Sequence, residues 1–176
     1  MTYDSRPDTL EHIACVQRYV REVITELLVR ADEHDASKLR SPEVEVFDRV
    51  TPMLRGLTYG SDEYKRALAD MGPGLAHHYA ANDHHPEHFP GGIADMNLVQ
   101  IVEMLCDWKA ATLRHDDGDL ARSIEQNAAR FGYGDEITGL LLNTALAFGW
   151  LAEPDFPERS PEQAAAHAAA RREVGP

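Results

Sequence analysis

Cysteine is scarce in this chain: Cys15 and Cys106 are the only two in 176 residues, and both sit in apolar, helix-like surroundings. That excludes a disulfide-stapled secreted domain and any paired-cysteine zinc motif, and predicts buried free thiols in a reducing cytoplasm. Long apolar runs are absent too. No stretch approaches the roughly 18 apolar residues of a membrane span, and the opening MTYDSRPDTLEH has no basic region followed by an apolar run. The expectation is a soluble cytoplasmic protein with no membrane partner. Positive charge is in deficit, with 17 Lys and Arg against 30 Asp and Glu, a formal net charge of −13 and a pI near 5.0. Such a surface repels a polyphosphate backbone, so a nucleic-acid polymer is excluded as a partner, while a small anionic substrate is still admissible where local cations or metals receive it. There are no alternating strand runs, no internal repeat and no glycine-rich phosphate loop.

What the chain does have is helical periodicity. Asp8-Thr9-Leu10-Glu11 has the form of an N-cap and capping box, followed by Ile13, Val16, Val20, Val23, Ile24, Leu27 and Leu28 at helical spacing. After Ser41-Pro42, Phe47, Val50, Met53 and Leu54 fit a helix face, with Pro52 predicting a break near Thr51. Residues 61 to 71 read as a short helix capped by Ser61 and closed by Gly72-Pro73. Leu98, Ile101, Val102, Leu105 and Trp108 form the clearest stripe of all, and two more helices follow over 119 to 131 and 135 to 151. In the last of these, Leu140 to Trp150 is apolar over much of its circumference, which places it in the core or in a homo-oligomer interface. The pattern predicts a single all-α domain over residues 1–153, with 154–176 as a peripheral or disordered tail.

Five of the nine histidines, His77, His78, His84, His85 and His88, crowd into GLAHHYAANDHHPEHFPGG. His77 and His78 are expected to end a short helix begun near Gly74, and the other three surround Pro86 in a rigid loop. A second informative stretch, EHDASKL, sets His34 and Asp35 side by side near the end of an apolar helical segment, where a turn can aim both at one divalent metal. Asp107 lies beside the apolar stripe of the clearest helix, and a carboxylate near a core must be paired or bind a metal.

Together these residues resemble the HD-domain superfamily of metal-dependent phosphohydrolases, whose signature is an early His, a His-Asp doublet and a late Asp on helices. The matching residues are His12 in LEHIACV, His34 and Asp35 in EHDASKL, and Asp107 in MLCDWKAA. Lys38 is similar to the lysine of the HDxGK form, with Ser37 in place of the usual glycine, and His77-His78 fall where binuclear members add histidines. HDASKL, HHPEH and DMN…MLCDWKA also resemble an uncharacterised HD-like family of bacteria and phages.

The resemblance covers roughly residues 8 to 115. It implies a helical bundle with a metal site between helices and one or two divalent ions (Mn, Co, Ni or Fe, with Mg admissible). His12, His34, Asp35, His77, His78 and Asp107 would be ligands, and Asp35 would bridge if two ions bind. The implied reaction is removal of phosphate from a small nucleotide, most simply a nucleoside 5′-monophosphate. Lys38 and one of His84 or His85 would neutralise the phosphate, and Tyr59, Tyr79 or Phe89 would grip the base or sugar. Two further readings stay open on the same residues: a diiron oxygenase, which the superfamily also contains, and a noncatalytic metal-binding interaction protein. For His12 to share a metal with His34, the chain must turn back between them, within Gln17 to Glu26, because a straight helix would hold them about 33 Å apart.

Overall fold

The computed structural model describes residues 3–54, 57, 61–114 and 118–151. Tyr59 and the segment from 154 onward, both assigned roles from sequence, lie outside these residues. Helix is the dominant structure and no strand occurs among the described residues; the all-α expectation holds. The chain divides into two compact units, Met1–Asp116 and Asp117–Pro176.

The first unit opens with α1, Arg6–Glu33, a single 28-residue helix. It starts earlier than the capping-box pattern suggested. Ser5 occupies the N-cap, Pro7 falls in the first turn, where its missing N–H costs nothing, and Asp8 is the acid of that turn, favourable to the helix dipole. No turn interrupts Gln17–Glu26. α1 instead ends at His34, after which Asp35 takes the left-handed conformation (φ 56°) and starts the 3-10 turn Ala36–Leu39.

α2, Glu43–Leu54, runs through Pro52 without the expected break. The proline sits in the last turn, where only its own missing N–H is lost and no further turn has to form beyond it. α3, Asp62–Ala69, is followed by α4, Gly72–Ala81, which begins at Gly72 itself with Pro73 in its first turn. α4 passes close to α2: a Cβ on Gly74 would lie 2.8 Å from Cβ and Cγ2 of Val46, so only glycine allows this approach.

Two further 3-10 turns, Pro86–His88 and Gly92–Asp95, lead to α5, Leu98–Thr112. Asn97 closes a full capping box there, its side chain accepting from the amides of Val99 and Gln100 while Gln100 Oε1 accepts from the Asn97 amide. Of the predicted stripe on α5, Ile101, Leu105 and Trp108 are buried with Met104 beside them, whereas Leu98 and Val102 are exposed, as are both thiols, Cys15 and Cys106, contrary to the expectation of burial.

The second unit holds α6, Leu120–Phe131, and α7, Asp135–Ala147, packed on each other. Asp119 caps α6 and Gly132 ends it in the left-handed region (φ 71°). Ile124, Leu141, Leu142 and Ala145 are buried, and the Tyr133 hydroxyl donates to the Ile124 carbonyl at 2.6 Å. Leu140 and Phe148 remain exposed, and Phe148 stacks on Trp150.

Candidate metal centre

The left-handed residue Asp35 is the pivot of the site. Adjacent side chains on a helix point about 100° apart; by leaving the helix at His34 and reversing at Asp35, the chain turns both toward one point. His34 Nε2 lies 3.4 Å from Asp35 Oδ2 and 3.8 Å from Asp107 Oδ1, which α5 brings in from the other side. Lys38, one 3-10 turn on, donates to Asp35 Oδ2 and leaves Oδ1 open.

The second wall comes from α4 and the loop after it. His78 Nε2 is 3.4 Å and His84 Nε2 3.6 Å from Asp35 Oδ1, and His85 Nε2 is 2.9 Å from His78 Nε2. The loop is pinned by Asp83, which accepts from the Arg30 guanidinium and from Gln100 Nε2 at 2.6 Å, so that the next two residues enter the site.

Each of four imidazoles has its Nδ1 held by a carboxylate, and three of them, His34, His78 and His84, turn Nε2 into the cluster. Glu103 Oε1 takes His34 Nδ1 at 2.7 Å and His84 Nδ1 at 3.0 Å, while its Oε2 accepts from Arg30 at 2.7 Å. Glu43, with none of its surface exposed, takes His77 Nδ1 at 2.7 Å and His78 Nδ1 at 2.9 Å and accepts from the Ser37 hydroxyl at 2.9 Å. A carboxylate on Nδ1 favours a proton there, so that the Nε2 of His34, His78 and His84 is the atom that offers a lone pair inward when unprotonated, the arrangement that surrounds metal-ligating histidines.

This supplies the test of whether a cation fits. Among the described residues, His84 Nε2 and Asp35 Oδ1 are buried polar atoms with no hydrogen-bond partner, although they face one another. Two acceptors cannot satisfy each other, and leaving both unpaired is costly. A cation between them resolves the conflict. Two groups have ligand atoms all within 4.8 Å of one another and share Asp35: Asp35 with His78, His84 and His85, and Asp35 with His34 and Asp107. A third, His34, His84 and Glu103, overlaps them, but there Glu103 is occupied in orienting the two rings. The donor set is nitrogen and carboxylate oxygen without sulfur, which suits Mn, Fe, Co, Ni or Zn.

Residues 1–147 match a family of unknown function, DUF5662. The chain belongs to that family. No curated protein and no solved structure matches it. The match spans every residue of the cluster in this DUF5662 chain, from Arg30 to Asp107.

The charges are strongly coupled. His34 is pushed up to about 9 by Asp107 and, against the opposing effect of burial, by Glu103 and Asp35. Burial and the neighbouring His84 and His78 push His85 down to about 3, and burial also lowers His78 and His84. Asp107 is held at about 2 despite burial, by His34 first and then by His85. Lys38 outweighs burial to lower Asp35.

Of the residues singled out from sequence, His34, Asp35, His78, His84, His85, Lys38 and Asp107 come together. His12 does not: it is exposed on the uninterrupted α1, 22 residues before His34 and thus about 33 Å away, so it is removed from the ligand set. His77 is also withdrawn as a ligand, because its side chain is 47% exposed, its Nδ1 is held by the buried Glu43, and it falls in none of the ligand groups. His84 and His85, expected to meet substrate phosphate, stand among the ligand groups. His88 is exposed and bonds the Tyr79 carbonyl. Tyr79 lies 5.0 Å from the His85 ring, whereas Phe89 stacks edge-on with His88. Glu43 and Glu103 were missed. Glu103 carries a signal in hindsight, four residues before Asp107 on one face of α5; Glu43, the residue after Pro42, carries none.

Proposed function

We propose that this protein is a metal-dependent phosphohydrolase that releases phosphate from a small nucleotide, most simply a nucleoside 5′-monophosphate. The observation that carries the reading is the facing pair of unpartnered buried acceptors, Asp35 Oδ1 and His84 Nε2, ringed by carboxylate-backed histidines. His78, His84, His85 and Asp35 would hold one divalent ion, and His34, Asp35 and Asp107 a second, with Asp35 common to both. Such ions lower the pKa of water and polarise phosphoryl oxygens.

The chain's own residues do the rest. Glu43 and Glu103 hold the ligand rings in one tautomer. Lys38 stands at the edge of the cluster, its Nζ 5.0 Å from the Phe47 ring centre, where it can donate to a phosphate oxygen. A dianionic phosphate entering here brings charge that an acidic protein would otherwise repel, and Lys38 with the ions offsets it.

The test is phosphate release from a panel of nucleoside mono- and triphosphates by protein reconstituted with Mn, Co, Ni or Mg. The expected result is turnover with at least one monophosphate that vanishes in both His34→Ala and Asp35→Ala. Absence of turnover with every loaded metal overturns the reading. If the loaded metal is iron and oxygen is consumed instead, the oxygenase reading replaces it.

A further inference from the structure

α1 keeps one apolar face along its whole length, yet the rest of its unit covers only the end of that face. Apart from bonds of its first turn to the residues just before it, every ion pair and hydrogen bond described from α1 to the rest of its unit comes from Arg30 or the C-cap His34, and Leu27 just before them is half-buried. Upstream the same face is bare: Ile13 is 43%, Val16 45%, Val20 52%, Val23 50% and Ile24 49% exposed, and no residue of the 28 in α1 is buried. An isolated helix has no reason to maintain such a stripe, because apolar side chains in water contribute nothing to its stability. The spacing of Ile13, Val16, Val20, Val23 and Leu27 alternates three and four residues, which is the a/d seam of a two-helix coiled coil.

We propose that this face is the contact between two copies of the chain, α1 lying antiparallel on the α1 of the partner. With the two-fold axis at the level of Arg18, Ile13 meets the partner's Val23 and Val16 meets the partner's Val20, so that these layers are apolar, while Leu27, at the end covered by its own unit, falls opposite the partner's Thr9. The flanking positions agree with this register. His12 falls opposite the partner's Glu26, Leu10 opposite the partner's Ile24, and Tyr19 and Gln17 each beside their own symmetry copies.

Antiparallel pairing opposes the two helix dipoles, setting the positive end of each beside the negative end of the other. It also sets the covered ends of the two α1 helices, near Arg30 and His34, at opposite ends of the contact, whereas a parallel pair would crowd them together. The area suffices as well. The exposed apolar residues that form or flank the seam, from Leu10 to Ile24, approach the roughly 800 Å² that each side of a standard interface buries.

The experiment is sedimentation velocity on the full chain across the micromolar range. It is expected to show a dimer, and Val16→Glu with Val20→Glu in one chain should return it to monomer with unchanged helical circular dichroism, since both side chains are exposed. Orientation is read from single cysteines in a Cys15→Ser, Cys106→Ser background under mild oxidation. Gln17→Cys, beside the axis, should cross-link, and Val23→Cys, about 15 Å along the axis from its copy, should not. A monomer at all concentrations, or a dimer that survives the double glutamate change, overturns the proposal. Cross-linking through Val23→Cys and not Gln17→Cys overturns the antiparallel register.

Discussion

At the scale of single residues, the carboxylates that touch no inward-facing ligand atom decide what the histidines can do. Glu103 holds two imidazoles and Arg30 at once, so replacing it by glutamine keeps the shape but removes the charge that favours the Nδ1–H tautomers of His34 and His84. The expected outcome for Glu103→Gln is a loss of metal affinity of about 10- to 100-fold with the helical signal retained, measured by titrating the apo protein with a competing chelator. Glu43 makes a different prediction, because it is fully buried beneath His77, His78 and Ser37. Glu43→Ala removes the acceptor of His77, His78 and Ser37, leaves the buried His78 Nδ1 without its carboxylate, and should destabilise the apo protein by about 1–3 kcal/mol in urea denaturation. The doublet, the later histidines and Asp107 were legible as chemistry because their residue types are costly to place near a core. The two glutamates were not, because an acid on a helix is ordinary until its neighbours in space are known.

At the scale of elements, periodicity marked the helices well, whereas their ends and breaks depended on contacts the sequence does not display. Pro52 ends nothing because it falls in a last turn, and Gly72 starts a helix instead of closing one. His12 shows the converse. The absence of glycine and proline between Ile13 and Glu33 was itself the sign of an unbroken helix, and the motif argued against it. Gly74 is where element packing is most exposed to test, since an added methyl would overlap Val46 on α2 at its Cβ and not at a movable tip. Gly74→Ala should therefore cost about 1–3 kcal/mol and loosen α4, which carries His78, so that metal affinity falls with stability.

In the α6–α7 unit, burial raises the pKa of Tyr133, whose hydroxyl is committed to the Ile124 carbonyl. A raised folded-state value means the stabilising contribution is whole below the unfolded pKa near 10 and is lost as pH rises above it, by about 1.4 kcal/mol for each unit until the folded value is reached. The stability difference between wild type and Tyr133→Phe should accordingly shrink between pH 9 and 11 in parallel denaturant titrations.

For the molecule as a whole, the cluster joins segments far apart in the chain, from Arg30 on α1 through Glu43 on α2 and His78 on α4 to Asp107 on α5. Without an ion, it gathers buried carboxylates and imidazoles whose lone pairs oppose one another, and folding must bear that conflict. An ion that binds this arrangement and not the unfolded chain stabilises the fold by mass action, about 4 kcal/mol at a free concentration a thousand times Kd. Addition of Mn or Co to the chelated protein should raise the unfolding temperature in a concentration-dependent way. The same addition should leave Asp35→Ala unmoved, because that change removes the one carboxylate common to both ligand groups. A shift of equal size in Asp35→Ala would mean that the stabilising ion sits elsewhere, and the facing acceptors Asp35 Oδ1 and His84 Nε2 would then need another explanation.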